Sequence, residues 1–182
     1  MSPERTRQTR RIYEGRILNL REDVVELSDG RVARREIVEH RPVVALVAVD
    51  DQDNAILVRQ YRKAVEAELL EVPAGSFNEG ERPEQAAQRE LEEETGFHAG
   101  EVRPIGGFYS APGFCSEYLH VFLCTDLRRV GAHPDEDEEI SAVPIPLARI
   151  PDLIRSGEIR DAKSVAGLLM YLRLYHGKDT QR

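Results

Sequence analysis

The chain has 182 residues, which suits one domain with a small appendage, and its formal net charge is −8. Hydrophobic residues make up 41% and charged residues 32%, so the chain has material for a core and is not a disordered protein. The negative charge disfavours non-specific nucleic-acid binding, although metal ions can bridge an acidic protein to a polyphosphate.

The first part of the chain predicts a small β arm. Residues 1–10 are interpreted as a polar tail that lacks the apolar segment of a secretory signal. Apolar and polar residues then alternate from 12 to 38 around the SDG sequence at 28–30, a strong hairpin signal. An arm of about 40 residues buries too little surface to be stable alone. We therefore predict an N-terminal β arm and dimerisation segment at residues 1–41, packed on the main domain, on a partner subunit, or on both.

The remaining residues, 42–182, predict a main domain of the α/β (α+β) class, a mixed sheet with helices on its faces. The run VVALVAV, residues 43–49, indicates a strand buried on both faces. Further strands are predicted at AILVRQY, ELLEVPAG, YLHVFLC and ISAVPIPL. Helical spacing in LARIPDLIRSG and DAKSVAGLLMYLRLYHG predicts two C-terminal helices that end near Gly157 and Gly177.

The sequence does not support a membrane protein or a metal site formed by cysteines. No apolar run reaches the length of a membrane span. Cys115 and Cys124 have neither a CxxC pair nor zinc spacing, so both are interpreted as structural thiols. Together with the polar start, these features predict a cytoplasmic protein with no membrane partner and no nucleic-acid partner.

The segment PEQAAQRELEEETG, residues 83–96, predicts a helix rich in glutamate. Pro83 suits the first helical position, and Gly96 suits the left-handed residue that closes a helix. Taken alone, the acidic stretch ELEEET fits a solvated helix face.

Helical geometry separates the acids of this stretch. At 100° per residue, Glu90 and Glu94 share a face beside the apolar stripe, with Glu93 next to them, while Glu92 points roughly the opposite way. Three acids at the edge of a buried face would raise each other's pKa values unless a cation compensates. Arg89 lies four residues before Glu93 and can pair with it, but one arginine cannot neutralise three acids.

A longer pattern surrounds these acids and carries a family resemblance. It reads G-x5-E-x7-R-E-U-x-E-E-x-G-U, where U is bulky and apolar, and its fixed positions are Gly75, Glu81, Arg89, Glu90, Glu93, Glu94 and Gly96. This pattern is the Nudix box, and the chain resembles the Nudix hydrolases over residues 42–177 in outline. The resemblance implies the Nudix fold, an α/β/α sandwich around a mixed sheet, and an enzyme that hydrolyses a nucleoside diphosphate linked to another group.

The resemblance also implies a metal site. Divalent ions neutralise diphosphate oxygens and polarise phosphorus, and Mg²⁺ prefers carboxylate, carbonyl and water oxygens. The implied ligands are Glu90, Glu94 and the carbonyl of Ala74, with Glu93 as a further ligand and catalytic residue. Mg²⁺ is the implied cofactor, with Mn²⁺ or another divalent ion as a substitute.

Four box residues are implied as structural support: Gly75, Glu81, Arg89 and Gly96. Glu81 and Arg89 resemble a pair that braces the loop before the helix against the helix itself. The alternative for Arg89 is a contact with substrate.

Three features outside the box resemble the ADP-ribose pyrophosphatase subfamily, whose products are AMP and ribose 5-phosphate. They are VRQYR before LLEVPAG, Pro112 placed 16 residues after Gly96, and the tail DAKSVAGLLMYLR. Hydrolases of other ADP-sugars and of GDP-mannose share parts of this pattern. The implied partner is therefore a small nucleoside diphosphate sugar, and the preferred sugar stays open.

Substrate contacts follow from the same resemblance. Arg62 is implied on the diphosphate, because a fork of N–H donors suits phosphate oxygens, and the alternative is a surface salt bridge. Ala74, Ala111, Pro112 and Arg35 are the further implied contacts. The subfamily forms dimers through the N-terminal arm, so a homodimer is also implied.

The general base is implied on an acidic loop outside the box, here HPDEDEEI at residues 133–140. Glu136 and Glu138 align best, one as the base and one reaching a metal ion. Glu138 is assigned both as a catalytic residue and as a metal ligand, and Glu139 is a third candidate. A mobile loop suits a base because closure brings it in only with substrate. The alternatives are a solvated acidic loop and, for the whole chain, a non-catalytic nucleotide sensor, which the complete box disfavours.

Overall fold

The computed structural model describes residues 4–132 and 139–177. Within these residues it contains ten β-strands and three α-helices. The strands are β1 (Arg5–Glu14), β2 (Leu18–Glu26), β3 (Val32–His40), β4 (Val43–Val49), β5 (Asn54–Arg62), β6 (Ala67–Glu71), β7 (Ala74–Ser76), β8 (Phe97–Tyr109), β9 (Tyr118–Arg129) and β10 (Ile140–Pro146). The helices are α1 (Pro83–Thr95), α2 (Ile150–Ser156) and α3 (Ala162–Met170).

The chain separates into two compact units, Met1–Pro42 with Phe108–Tyr118, and Val43–Gly107 with Leu119–Arg182. In the first unit the segment after β8 joins β3, because the Val38 amide donates to the Phe114 carbonyl at 2.8 Å and the Ser116 amide donates to the Val38 carbonyl at 3.0 Å. The division into a domain of residues 1–41 and a domain of residues 42–182 stays a prediction.

The first unit contains a three-stranded antiparallel sheet in the order β1-β2-β3. The predicted hairpin at 28–30 is confirmed: Gly30 has a φ of 84°, and the Leu27 amide donates to the Arg31 carbonyl at 2.8 Å. The predicted polar tail is wrong from Arg5 onwards, because those residues form the first part of β1. All ten residues of β1 are exposed, and this strand is held by its pairing with β2 rather than by an apolar face.

The second unit contains the predicted mixed sheet, in the order β10-β5-β4-β9-β8. β4 and β9 run parallel, and β4 and β5 pair beside their connecting turn. Further from that turn, β6 pairs with β5 and β7 pairs with β4. The short segment from Val72 to Pro73 therefore carries the chain from one strand of the sheet to the next.

Helices cover both faces of this sheet. All seven residues of β4 are buried, as predicted. Leu46 packs in one cluster with Leu91 of α1. On the other face Gly167 of α3 lies against Val47 and Val121, whose methyl groups a Cβ at Gly167 would meet at 3.4 and 3.5 Å. The two helices make the α/β/α sandwich that the resemblance implied.

The C-terminal helices follow the predicted segments with one difference. α2 is closed by Gly157 in the left-handed conformation, as predicted. α3 is α-helical to Met170 and continues as a π-helical turn, Tyr171–Tyr175, before Gly177 at a φ of 72°. Across the described residues, we find no helix with the length and apolar character needed to cross a membrane.

Candidate active site

The box helix forms as predicted, and its ends explain its bounds. Pro83 is the first residue of α1, and the Arg82 amide before it donates to the Gln85 side chain at 3.2 Å. Gly96 closes the helix at a φ of 71°, and its amide donates to the Glu92 carbonyl at 2.9 Å. These caps fix which turn of the helix carries the glutamates.

Burial follows the helical prediction for Glu90, Glu92 and Glu94, but Glu93 is as exposed as Glu92. Leu91 is fully buried against the sheet. Glu94 is buried, with 6% exposure, and the Glu90 side chain is 13% exposed. The side chains of Glu92 and Glu93 are 39% and 38% exposed. Glu90 and Glu94 thus stand at the edge of the core, which sets them apart from Glu92, whose carboxylate bonds to His98 and has its pKa lowered by that contact.

Both partly buried carboxylates rest on the backbone of β7. A carboxylate oxygen of Glu94 accepts from the Ala74 amide at 3.1 Å. The Glu90 carboxylate lies so close to Gly75 that a Cβ there would be 2.0 Å from its carbon and 2.2 Å from each oxygen. Gly75 is therefore required for close approach of the carboxylate to the backbone.

Arg89 connects the helix to the loop before it. Its Nε and Nη2 donate to the two carboxylate oxygens of Glu81, each at 2.9 Å. Its Nη1 donates to Glu90 at 2.7 Å and to Glu93 at 2.8 Å, and Nη2 also reaches the Ser76 carbonyl at 2.9 Å. The structure thus brings Arg89 to three carboxylates: the contacts with Glu81 and Glu93 were expected, and the contact with Glu90 was not.

The bidentate pair with Arg89 has electrostatic consequences. The hydrogen bond from Arg89 holds the pKa of Glu81 below its ordinary value, against the opposing effect of burial, and the Asn78 amide adds to it. The same hydrogen bonds raise the pKa of Arg89 further. Both groups are therefore charged at neutral pH.

The donor atoms of this site suit a hard divalent cation. Glu90, Glu94 and the carbonyl of Ala74 supply oxygen only, the ligand type of Mg²⁺, Mn²⁺ and Ca²⁺. Among the described residues, no three acidic, histidine or cysteine side chains gather closely enough to enclose an ion by themselves. A cation held by a few carboxylates and several waters meets both observations.

A groove of ≈ 870 Å³ runs beside α1, and Arg89, Glu93 and Gly131 are among its walls. Gly96 anchors the segment that enters it: the Val130 and Gly131 amides donate to the Gly96 carbonyl at 2.8 and 3.2 Å. A Cβ at Gly96 would lie 2.6 Å from the Ala132 amide nitrogen. Gly96 therefore serves both as helix cap and as the seat of this segment.

The residues proposed for the general base follow that segment in the sequence. Glu136 and Glu138 are outside the described residues. Glu139, the third candidate, is exposed and lies directly before β10.

Arg62 has a partner that sequence reasoning missed. Its Nε and Nη2 donate to one oxygen of Glu71 at 3.0 and 2.6 Å. Glu71 is buried, with 2% exposure, and Lys163 approaches the same oxygen at 2.9 Å. A glutamate between the apolar Leu70 and Val72 was the available signal for Glu71, and no local signal pointed to Lys163.

The remaining predicted substrate contacts belong to the first unit. A cavity of ≈ 470 Å³ brings Arg35 and Pro112 together with the aromatic rings of Tyr109 and Phe114. Arg35 is paired with Glu4 at 2.5 Å. Ala111 contributes its carbonyl, which accepts from the amides of Phe114 and Cys115 at 3.1 and 2.9 Å. Ala111 therefore shapes the turn at this cavity through its backbone.

Comparisons with known proteins cover nearly the whole chain. The family model of the NUDIX domain matches residues 39–168, and that of the nucleoside diphosphate sugar hydrolase N-terminal domain matches residues 4–38. ADP-ribose pyrophosphatase of Bacillus subtilis (strain 168) is 39% identical over 181 residues, which are 98% of this chain and 97% of that protein. GDP-mannose pyrophosphatase of Escherichia coli O1:K1 / APEC is 34% identical over 163 residues, 83% of this chain and 84% of the relative.

A solved structure described as an ADP compounds hydrolase superposes with a TM-score of 0.86, at 26% identity and with 94% of both chains covered. The NUDIX match spans most of the chain and includes every position of the box. By sequence, fold and box geometry, the chain is a member of the Nudix hydrolase family.

Proposed function

We propose that this Nudix hydrolase cleaves the diphosphate of ADP-ribose with water, giving AMP and ribose 5-phosphate, and that its metal ion is Mg²⁺. The observation that carries the proposal is the close contact of the Glu90 and Glu94 carboxylates with the backbone of Ala74 and Gly75. It places the oxygen atoms of both side chains beside β7, where they can bind a cation. The 39% identity to an ADP-ribose pyrophosphatase over nearly the full length supports the choice of substrate.

The proposed roles follow from the chemistry of each side chain. Glu90, Glu94 and the carbonyl of Ala74 would hold the cation, with Glu93 as a further ligand. Once bound, Mg²⁺ neutralises diphosphate oxygens and polarises phosphorus. Arg62 binds the diphosphate through its N–H fork. Arg89 keeps Glu90 and Glu93 oriented while it ties the helix to Glu81.

A panel of nucleoside diphosphate sugars tests the proposal. We expect ADP-ribose to be among the substrates with the highest kcat/KM in Mg²⁺, and EDTA to abolish turnover. GDP-mannose or another ADP-sugar is the second candidate, supported by the GDP-mannose pyrophosphatase relative. Product identification separates the two, since GDP-mannose would yield GMP. Turnover that survives EDTA would overturn the metal mechanism.

We propose Glu138 and Glu136 as the acids outside the box, one as the general base and one reaching a metal ion, and Glu138 is the first candidate to test as the base. The anchoring of Val130 and Gly131 at Gly96, on the wall of the groove that Glu93 lines, supports this, because the acidic segment starts two residues after Gly131. We expect Glu138→Gln to lower kcat by about 10²–10⁴-fold, the usual contribution of a general base, with a much smaller change in KM. The matched control is Asp137→Asn, and near wild-type turnover of Glu138→Gln would remove Glu138 from the mechanism.

We propose further that the protein is a homodimer joined through the N-terminal arm. The match to an N-terminal domain of nucleoside diphosphate sugar hydrolases supports this. So do large apolar side chains of β1, the β1–β2 turn and β3 that are about half exposed, Ile12, Tyr13, Ile17 and Val32. Sedimentation equilibrium tests it with Ile12→Glu and Ile17→Glu. A wild-type monomer would end the proposal.

A cytoplasmic location is proposed from the state of the cysteines. Both Cys115 and Cys124 are free, as is usual where thiols are kept reduced. Burial raises the pKa of Cys124 to about 12, which makes it a structural thiol and not a nucleophile. Fractionation of cells that make the protein checks the location.

A further inference from the structure

Glu71 is a buried carboxylate for which the proposed reaction has no direct use. It lies at the end of β6, three residues before Ala74, and its 2% exposure is unusual for a charged side chain. A buried charge persists when it is paired and hydrogen-bonded, and Glu71 has two cationic partners, Arg62 and Lys163.

The register of the strands shows that the Arg62–Glu71 contact is not one between facing residues. Arg62 faces Ala67 across the β5–β6 ladder, and Glu71 faces Val58. The Arg62 side chain must therefore run back along the sheet to reach Glu71. This brings its guanidinium to the end of β6, beside the connection that leads to Ala74 and Gly75.

The hydrogen bonds of the guanidinium leave one nitrogen available. Nε and Nη2 both donate to the same oxygen of Glu71, and Nη1 has no hydrogen bond within residues 4–132 and 139–177. The Arg62 side chain is 36% exposed, while that of Glu71 is 3% exposed. Glu71 thus fixes one edge of the guanidinium and leaves the other edge for an anion.

The second cation comes from the first turn of α3. Lys163 contacts Glu71 at 2.9 Å and Asp161 at 3.0 Å, and Asp161 caps the helix by accepting from the Ser164 amide at 3.1 Å. Ser164 in turn accepts from the Val72 amide at 2.8 Å, so α3 holds both Glu71 and the residue after it. Lys163 shares the negative charge of Glu71, so the carboxylate stays paired while the other edge of Arg62 meets an anion.

We infer that Glu71 is a positioning residue, which carries the guanidinium of Arg62 to the β6–β7 connection and orients it for the diphosphate of the substrate. The inference rests on the proposed function, because it takes the anion to be a nucleoside diphosphate. Lys163 supports the arrangement as the second partner of Glu71. The same geometry in a purely structural network would stabilise the fold without affecting diphosphate affinity.

The test is a double-mutant cycle on ligand binding. We would measure the Kd of the non-hydrolysable α,β-methylene analogue of ADP-ribose by calorimetry in Mg²⁺, for the wild type, Arg62→Ala, Glu71→Gln and the double variant. We expect each single change to weaken binding about 10-fold, and the double variant to be little worse than either, because coupled neighbours are strongly non-additive. Glu71→Asp keeps the negative charge but shortens the side chain by one methylene group. We therefore expect it to weaken binding by less than Glu71→Gln does, but measurably.

The matched control is a second Arg–Glu pair, whose arginine lies on β5 together with Arg62. Arg59 contacts Glu158 at 3.1 Å, with both side chains more than a third exposed. Arg59→Ala, Glu158→Gln and their double variant should leave Kd within about twofold of the wild type, since exposed pairs contribute little.

The outcomes separate the inference from the proposed function. Glu71 variants that lower the Tm yet bind the analogue with wild-type Kd would overturn the inference, and so would losses that multiply in the double variant. If the wild type neither binds the analogue nor hydrolyses ADP-ribose, the proposed substrate is wrong; the cycle is then run with the nucleoside diphosphate sugar that the panel identifies, and the same criteria apply.

Discussion

Arginine–glutamate pairs occur both in the β1–β3 sheet and around α1. The two regions differ in the number of arginines per acid and in the exposure of the arginine side chains. In the sheet, Glu22 accepts from Arg10 at 3.3 Å and Arg34 at 2.7 Å, and both arginine side chains are more than 60% exposed. Around α1, one arginine, Arg89, contacts three carboxylates and is 26% exposed. Two exposed arginines on one acid describe a neutralised surface cluster, whereas one part-buried arginine among three acids describes a site that suits an added positive ion.

The largest expected effect is the loss of Arg89, which contacts three carboxylates around α1. Arg89→Ala removes the partner that Glu81, Glu90 and Glu93 share, and breaking a buried charge network destabilises by several kcal/mol. We expect the free energy of unfolding to fall by about 3 kcal/mol, together with loss of hydrolysis. Urea unfolding at neutral pH measures the first effect. Arg34→Ala is the control from the exposed sheet, and equal losses in the two variants would erase the contrast.

The two box glycines sharpen the comparison by separating stability from metal binding. At Gly96 a methyl group meets backbone at 2.6 Å and the residue is left-handed, so Gly96→Ala should lower the unfolding free energy by about 2 kcal/mol. At Gly75 a methyl group meets only the end of the flexible Glu90 side chain, which can move away. Gly75→Ala should therefore unfold within about 1 kcal/mol of the wild type.

The measurement that distinguishes these glycines is Mg²⁺ affinity by calorimetry. We expect Gly75→Ala to lose about 10-fold or more in affinity, because the displaced carboxylate no longer rests on β7, and loss of a ligand's support typically has an effect of this size. Wild-type Mg²⁺ affinity in Gly75→Ala would show that the seating of Glu90 is unrelated to metal binding.

The pairing of Glu81 with Arg89 predicts a pH dependence of stability. Because the folded-state pKa of Glu81 lies below its ordinary value of 4.5, its stabilisation is complete above that value and is lost as the pH falls through the lower, folded-state pKa. The difference in unfolding free energy between wild type and Glu81→Gln should be about 1.5 kcal/mol at neutral pH and shrink in acid. A difference that stays constant with pH would mean that the charge of Glu81 contributes nothing.

Local signals account for what the sequence could predict. The caps at Pro83 and Gly96, the apolar stripe and the box spacing all act within one helix, so α1 and the arrangement of Glu90 and Glu94 follow from neighbours a few positions apart. The strand at residues 43–49 is likewise predictable from its own sequence, because seven consecutive apolar residues require burial on both faces.

Features that depend on distant partners were missed. Lys163 meets Glu71 across 92 residues of sequence, and neither position reveals the other. The polar residues from Arg5 onwards fit the pattern of a tail because the strand they form has no apolar face. It is held by its pairing with β2 and by ion pairs such as that between Arg7 and Glu26. Burial of a charge and the partner of an edge strand are properties of the folded chain, which periodicity does not encode.

The smallest expected effect belongs to the exposed sheet and completes the comparison. Arg10 and Glu22 face each other across the β1–β2 ladder, yet the Arg10 side chain is 64% exposed and Glu22 has Arg34 as a second partner. A double-mutant cycle with Arg10→Ala and Glu22→Gln should therefore give a coupling below about 0.5 kcal/mol. That coupling should vanish in about 1 M salt, where the screening length is about 3 Å, whereas the part-buried contacts of Arg89 should keep most of theirs. A coupling across Arg10 and Glu22 as large as that between Arg89 and Glu81 would mean that burial and the ratio of charges do not distinguish the two regions.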